Sequence, residues 1–124
     1  MLHVELVSAE RTVWSGEAEG VFARTVDGDL GILTNHSPLL AVLVNGVVTI
    51  NTPGAKEVAA VHGGFLSVAD NRVSILAEVA ELSHEIDVER ARAALSRAQG
   101  TDDEQAIAAV ERARARITAA GFVA

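Results

Sequence analysis

The chain has 124 residues, too few for a multi-domain enzyme and enough for one domain with a small appendage that buries roughly 65% of its unfolded surface. Its formal net charge of −7, with three Phe, one Trp and no Tyr, repels phosphate backbones and anionic lipid and leaves few aromatic platforms for bases. Nucleic-acid binding and direct membrane insertion are set aside, and the absence of cysteine excludes disulfides, thiolate zinc sites and cysteine nucleophiles.

The 49% hydrophobic content comes mainly from Val, Leu, Ile and Ala, as in a small sandwich core. The longest uninterrupted apolar run, residues 39–44, falls far short of the ~18 residues that span a bilayer. Met1 leads directly into Leu2-His3-Val4-Glu5-Leu6 without a basic stretch and apolar h-region, so the chain reads as cytosolic, with no signal peptide.

Leu2, Val4 and Leu6 alternate with His3, Glu5 and Val7, the period of a strand with one buried face. Gly, Pro, Asn and Asp then break the sequence every ~8–12 residues up to about residue 82, the spacing of a sandwich of short antiparallel strands. Asn45-Gly46, between the apolar runs 41–44 and 47–50, predicts a tight type I′ hairpin. Residues 57–62, 65–68 and 72–80 supply three further strands. Gly63-Gly64 reads as a strand break, since it lacks Gly-x-Gly-x-x-Gly spacing and opens no helix. Segment 28–40, Gly-Asp-Leu-Gly-Ile-Leu-Thr-Asn-His-Ser-Pro-Leu-Leu, has no clean alternation. It reads either as a plain connecting loop or as a loop that presents Asp29 and His36 to a partner on aliphatic anchors. His3, His36, His62 and His84 have no i, i+4 spacing for a metal, and no Gly-x-Ser-x-Gly elbow occurs, so neither a metal site nor catalysis is expected.

Between residues 81 and 87 the period changes from strand to helix, dividing a body, 1–82, from a tail, 83–124. Asp87 is placed to cap a helix from Val88, with Ile86 as a staple to Ala91. Val88, Ala91, Leu95 and Ala98 form one apolar stripe. Gly100 is expected to end that helix, and Thr101 with Glu104 to box the start of a second, whose stripe is Ala106, Val110, Ala113 and Ile117. Two antiparallel helices follow, joined by an alanine seam too thin to be more than marginally stable at ~25 cal/mol per Å², so the hairpin can open. The tail carries six of the ten basic residues, for a net charge of 6 − 7 = −1 against 4 − 10 = −6 in the body. These arginines read either as a solvated face laced by i, i+4 pairs or as a surface for anions and acidic partners.

Three blocks, residues 28–40, Gly63-Gly64-Phe65-Leu66-Ser67-Val68 leading into Val73-Ser74-Ile75-Leu76-Ala77-Glu78, and Ile86-Asp87-Val88-Glu89-Arg90-Ala91, resemble in order and spacing the epsilon subunit of bacterial F-type ATP synthase. The resemblance spans essentially the whole chain. It implies a mainly β plus α fold: a ten-stranded β-sandwich over 1–82 that binds the gamma subunit and sits on the ring of c subunits, then a regulatory two-helix hairpin over 83–124. The implied role is non-catalytic. It is that of a rotor-stalk subunit at the cytoplasmic face of the bacterial membrane, coupling proton-driven ring rotation to ATP synthesis. Asp29, replacing the family's Glu, and His36, at the family's His position, are the implied ring contacts; Asn35 stands where Gly is common. The hairpin is expected to restrain ATP hydrolysis by extending along gamma, so that Arg112, Arg114 and Arg116 meet the catalytic beta subunit. The Ile-Asp-x-x-Arg-Ala pattern implies ATP as a regulatory ligand, with no cofactor required and with Glu81, Asp87, Arg90 and Arg112 as candidate ligands; Asp87 reads equally as a plain cap. The alternative from another class is a free-standing ATP-sensing module.

Overall fold

The structure, a computed structural model, describes residues 1–98 and 104–121, the side chain of Glu104 excepted. Eight strands come first: β1 (Leu2–Ser8), β2 (Thr12–Ala18), β3 (Gly20–Thr25), β4 (Gly28–Leu33), β5 (Leu39–Val42), β6 (Gly46–Thr52), β7 (Ala55–Ala69) and β8 (Arg72–Leu82). A single 3-10 turn, Ser83–Glu85, leads to α1 (Val88–Ala98) and α2 (Glu104–Ala119). The strands run in the order β2-β1-β8-β7-β6-β3-β4, with β5 also on β7, and β2 meets β6 across the core, closing the sheet into a sandwich. Alternating side chains fill it: Leu2, Val4 and Leu6 from β1, Val21 from β3, Ile32 from β4, Val48 and Ile50 from β6, Leu66 from β7 and Ile75 from β8 form one buried cluster.

Several expectations are corrected. Among the described residues the strands number eight, not ten, and 57–62 and 65–68 are parts of one strand. β7 pairs with β6 through residues 55–61 and with β5 through 65–68, while its register with β8 runs unbroken past the glycines. Gly63 and Gly64 have φ of 66° and 124°. A Cβ on Gly64 would lie 2.0 Å from the Leu76 carbonyl oxygen, so a bare backbone is required where β7 passes from one partner to the next. β1 joins β8 in parallel, not antiparallel.

The hairpin expected at Asn45-Gly46 does not form. β5 pairs with β7 and β6 pairs with β3 and β7, and neither turn residue has positive φ. Burial of Leu43, whose N–H donates to the Gly64 carbonyl at 2.9 Å, carries the chain across the sandwich instead. The turn with positive φ at both central residues is Asp70-Asn71, at φ 50° and 60° between the paired Ala69 and Arg72, which meets the type I′ requirement. Segment 28–40 is largely strand, as β4 and β5, with a short connection between them.

The tail forms the expected helical pair, stacked on the body through α2. Ala115 and Ala119 pack on Ala60 of β7, bordered by Val47, Val58 and Ile86. Ala113 and Ile117 are buried on the opposite side of α2, so this helix lies between α1 and the sheet, and the expected stripe is only one of its two buried faces. Ile86 packs on the sheet seam. The stop at Gly100 and the Thr101–Glu104 capping box lie outside the described residues.

Candidate functional site

Where the strand period ends, β8, the 3-10 turn, α1 and α2 enclose a cleft of about 410 Å³ lined by Glu81, Glu85, Asp87, Arg90, Arg97 and Arg116 over a floor of Ala91 and Ala94. Its size falls within the ~300–1,000 Å³ of small-molecule sites. Each side chain arrives by local logic. Glu81 lies on the hairpin side of β8, because Ala80 and Leu82 point into the core. Asp87 caps α1, its Oδ1 accepting the Arg90 N–H at 3.0 Å, as its position before the apolar run predicts. Arg90 and Arg97, seven residues apart, return to one face of α1, and Arg116 comes from α2.

The charges in the cleft are unevenly satisfied. Arg116 Nε donates to Glu81 Oε1 at 2.5 Å, tying α2 to β8 in a half-buried pair. Glu85 is held from outside the cleft: one Arg11 nitrogen reaches both carboxylate oxygens at 2.9 and 2.8 Å, and the Leu82 N–H donates to it at 3.0 Å. The Arg11 hydrogen bond, then that of Leu82, holds the Glu85 carboxyl below its ordinary range. Among the described residues, no carboxylate lies within ion-pair distance of the Arg90 or Arg97 guanidinium.

Of the residues expected to hold ATP, the cleft unites Glu81, Asp87 and Arg90. The second-helix arginine on its wall is Arg116; Arg112, one turn earlier, does not line it. Sequence reasoning missed Arg97 as a cleft residue, although its seven-residue spacing from Arg90 was visible, and missed Glu85, whose role depends on the distant Arg11. The three arginines expected to meet an acidic partner diverge: Arg112 and Arg116 lie on the part-buried side of α2, and Arg114 is exposed beside Arg24, Asp29 and Glu111.

Asp29 and His36 are not brought together. Asp29 lies on edge strand β4, opposite Arg24 of β3, which it pairs at 3.2 Å. His36 lies past the other end of β4, where its N–H donates to the Leu33 carbonyl and its ring Nδ1 is 2.7 Å from the Ser37 carbonyl. Asn35 holds the glycine-like conformation there at φ 68°, fixed by a reciprocal exchange with Asn71 at 2.6 and 3.2 Å.

Residues 1–83 match the family described as ATP synthase, Delta/Epsilon chain, beta-sandwich domain. The ATP synthase epsilon chain of Streptomyces griseus is 56% identical over 119 residues, covering 95% of this chain and 94% of that one. That of Thermobifida fusca is 53% identical over 126 residues, covering 96% and 91%. A chain in the cryo-EM structure of Euglena gracilis mitochondrial ATP synthase, OSCP/F1/c-ring, aligns with a TM-score of 0.82 at 26% identity, covering 96% of this chain and 80% of that one. The fold and the matched domain define a β-sandwich subunit of the delta/epsilon class, structural and regulatory in kind and not catalytic. With relatives of this identity over nearly its full length, the chain belongs to the bacterial ATP synthase epsilon-chain family.

Proposed function

We propose that the chain is a rotor-stalk subunit of ATP synthase at the cytoplasmic face of the bacterial membrane, transmitting c-ring rotation through gamma to the catalytic head. One observation carries this reading. Val7, Leu76, Phe65 and Val42 stand in register across β1, β8, β7 and β5, and the last three are 54%, 52% and 43% exposed. They form an apolar row across four strands of a body that is otherwise acidic, flanked by the small side chains of Ser67 and Ser74, which permit close approach. Such a row suits a docked protein surface, and gamma is the partner assigned to it. The ring is assigned to the β4 edge, where Asp29 and His36 stand at opposite ends; a surface touching both has to follow the strand. Purified chain and gamma should co-elute at micromolar concentration, and Phe65→Glu with Leu76→Glu should abolish co-elution while leaving the fold intact. Failure of the wild-type chain to bind gamma would return the reading to a free-standing nucleotide sensor.

The cleft is assigned to ATP as a regulatory ligand. Arg90 and Arg97 offer guanidinium forks to phosphate oxygens, Ala91 and Ala94 leave room for a base, and Glu81 or Asp87 can accept from the adenine amino group. A ligand touching α1, α2 and β8 together holds the hairpin down. In that state Arg112 and Arg116 face the body. Only release offers them with Arg114 to an acidic surface of the catalytic beta subunit, restraining hydrolysis. Truncation after Ser83 should raise the ATPase rate of the assembled head, and calorimetry should show saturable ATP heat that Arg97→Ala diminishes; an unchanged rate or an absent heat rejects the corresponding half of the scheme.

A further inference from the structure

On the outer side of β7, Val58, Ala60 and His62 follow one another at the two-residue spacing of a strand, and the first two lie in the seam beneath α2. His62 is the next along this line and is 4% exposed. Neither ring nitrogen has a hydrogen-bond partner among the described residues. Its ionisable surroundings come from both elements packed against it: Arg112 and Arg116, one helical turn apart on α2, and Glu81 on β8, already engaged by Arg116. Asp87 before α1, with Arg90 and Arg97 on it, lines the adjoining cleft with Arg116.

A proton added to His62 in this position creates a buried imidazolium with no acceptor among the described residues, facing two guanidinium groups and one carboxylate that is already paired. Lifting α2 relieves that cost by giving the ring to solvent. We infer that His62 is a proton-operated latch: neutral, it allows the hairpin to seat on the body, and protonated, it drives the hairpin off. This links hairpin position to local acidity, independently of nucleotide and of gamma.

The direction of titration agrees with the geometry. Burial foremost, then Arg116, with Arg112 adding less and Glu81 opposing, lowers the His62 pKa from 6.5 to about 4. With α2 lifted the ring regains its ordinary value near 6.5. The docked form therefore binds fewer protons between about 4 and 6.5, so docking is strongest above that window and weakens as pH falls through it, by up to tenfold per pH unit. From pH ~7.5 to ~5.5 the docking constant should fall about tenfold.

The test uses the full chain alone. Because it has no cysteine, fluorophores can be placed through Asn45→Cys and Glu111→Cys, whose native side chains meet at 3.5 Å across the docked interface. Docking should weaken about tenfold over those two pH units and become insensitive to pH over the same range in His62→Gln and His62→Leu. Equal pH sensitivity in wild type and both variants overturns the latch, as does a wild-type hairpin equally docked at both ends of the range. Should the substitutions unfold the chain, NMR titration of the wild-type His62 ring decides: a value well below 6 with α2 docked supports the latch, and an ordinary value near 6.5 in the docked state overturns it.

Discussion

In the body, Leu2, Leu6, Ile32, Ile50, Leu66 and Ile75 are fully buried in one continuous cluster, whereas the seam that seats the hairpin is made by Ala60, Ala115 and Ala119. Fully burying a branched side chain contributes ~1.5–3 kcal/mol, and one methyl-sized group ~0.8. The hairpin is instead positioned by groups that carry charge or respond to it: the Arg116–Glu81 pair, the Asp87 cap, the Arg11–Glu85 pin and the neutral ring of His62. Apolar burial is indifferent to ligands and protons in solution, and charged contacts are not. The two regions differ in what can undo them, which suits a fixed foot carrying a movable arm.

The largest effect is expected from damage to the foot. Gly64→Ala combines a positive φ with a Cβ 2.0 Å from the Leu76 carbonyl, so strain and overlap together should cost about 3 kcal/mol or more. Denaturant unfolding should show loss of the whole body, since β7 serves β5, β6 and β8 together; a variant with wild-type midpoint would mean that the glycine pair is dispensable. Arg116→Ala acts on the arm alone. It removes one half of a half-buried pair and one wall of the cleft, at a cost of ~1–2 kcal/mol in docking, between the values for exposed and buried pairs. Unfolding of the body should be unchanged while α2 amide exchange speeds up. The His62 pKa should also rise, because Arg116 lowers it, but not to the ordinary value, because burial is the larger cause.

How much of this was legible in the sequence follows the same division. β1 was readable because Leu2, Val4 and Leu6 alternate against solvent, and Asp87 was readable because a cap is a local event. The strand count and the Asn45-Gly46 turn were not. Both depend on which distant strand claims β5, and that is settled by β7 bending its partnership at Gly63-Gly64 and by Leu43 entering the core. The cleft was half legible: the Ile-Asp-x-x-Arg-Ala pattern carried Asp87 and Arg90, but choosing Arg116 over Arg112 requires the rotation of α2 about its axis, which its second, sheet-facing alanine stripe determines. His62 looked like any strand histidine, because its environment comes from residues 19, 50 and 54 positions away in Glu81, Arg112 and Arg116.

A smaller effect is expected at the arm's root. Asp87→Ala removes the acceptor for the Arg90 N–H and should cost ~1 kcal/mol through fraying of α1. Asp87→Asn keeps a cap and loses the charge. Equal ATP heats in wild type and Asp87→Asn with a loss in Asp87→Ala would assign Asp87 to capping; loss in both would assign its carboxylate to the ligand.

The smallest effect separates two acid responses of the arm. Glu85→Gln weakens a partly exposed pin to Arg11, for which ~0.2–1 kcal/mol is expected. Because the Glu85 carboxyl is held below its ordinary 4.5, the pin contributes fully above that value and is lost as pH falls through the lowered folded-state pKa. The His62 response lies at higher pH, between about 4 and 6.5. Loosening of the hairpin from pH ~6.5 to ~5 should therefore survive in Glu85→Gln and vanish in His62→Gln, whereas the stability gap between wild type and Glu85→Gln should close only in stronger acid. Amide exchange of α2 across both ranges measures this directly; a Glu85→Gln variant that abolishes the higher-pH response would move the proton switch from the seam beneath α2 to the root of the arm.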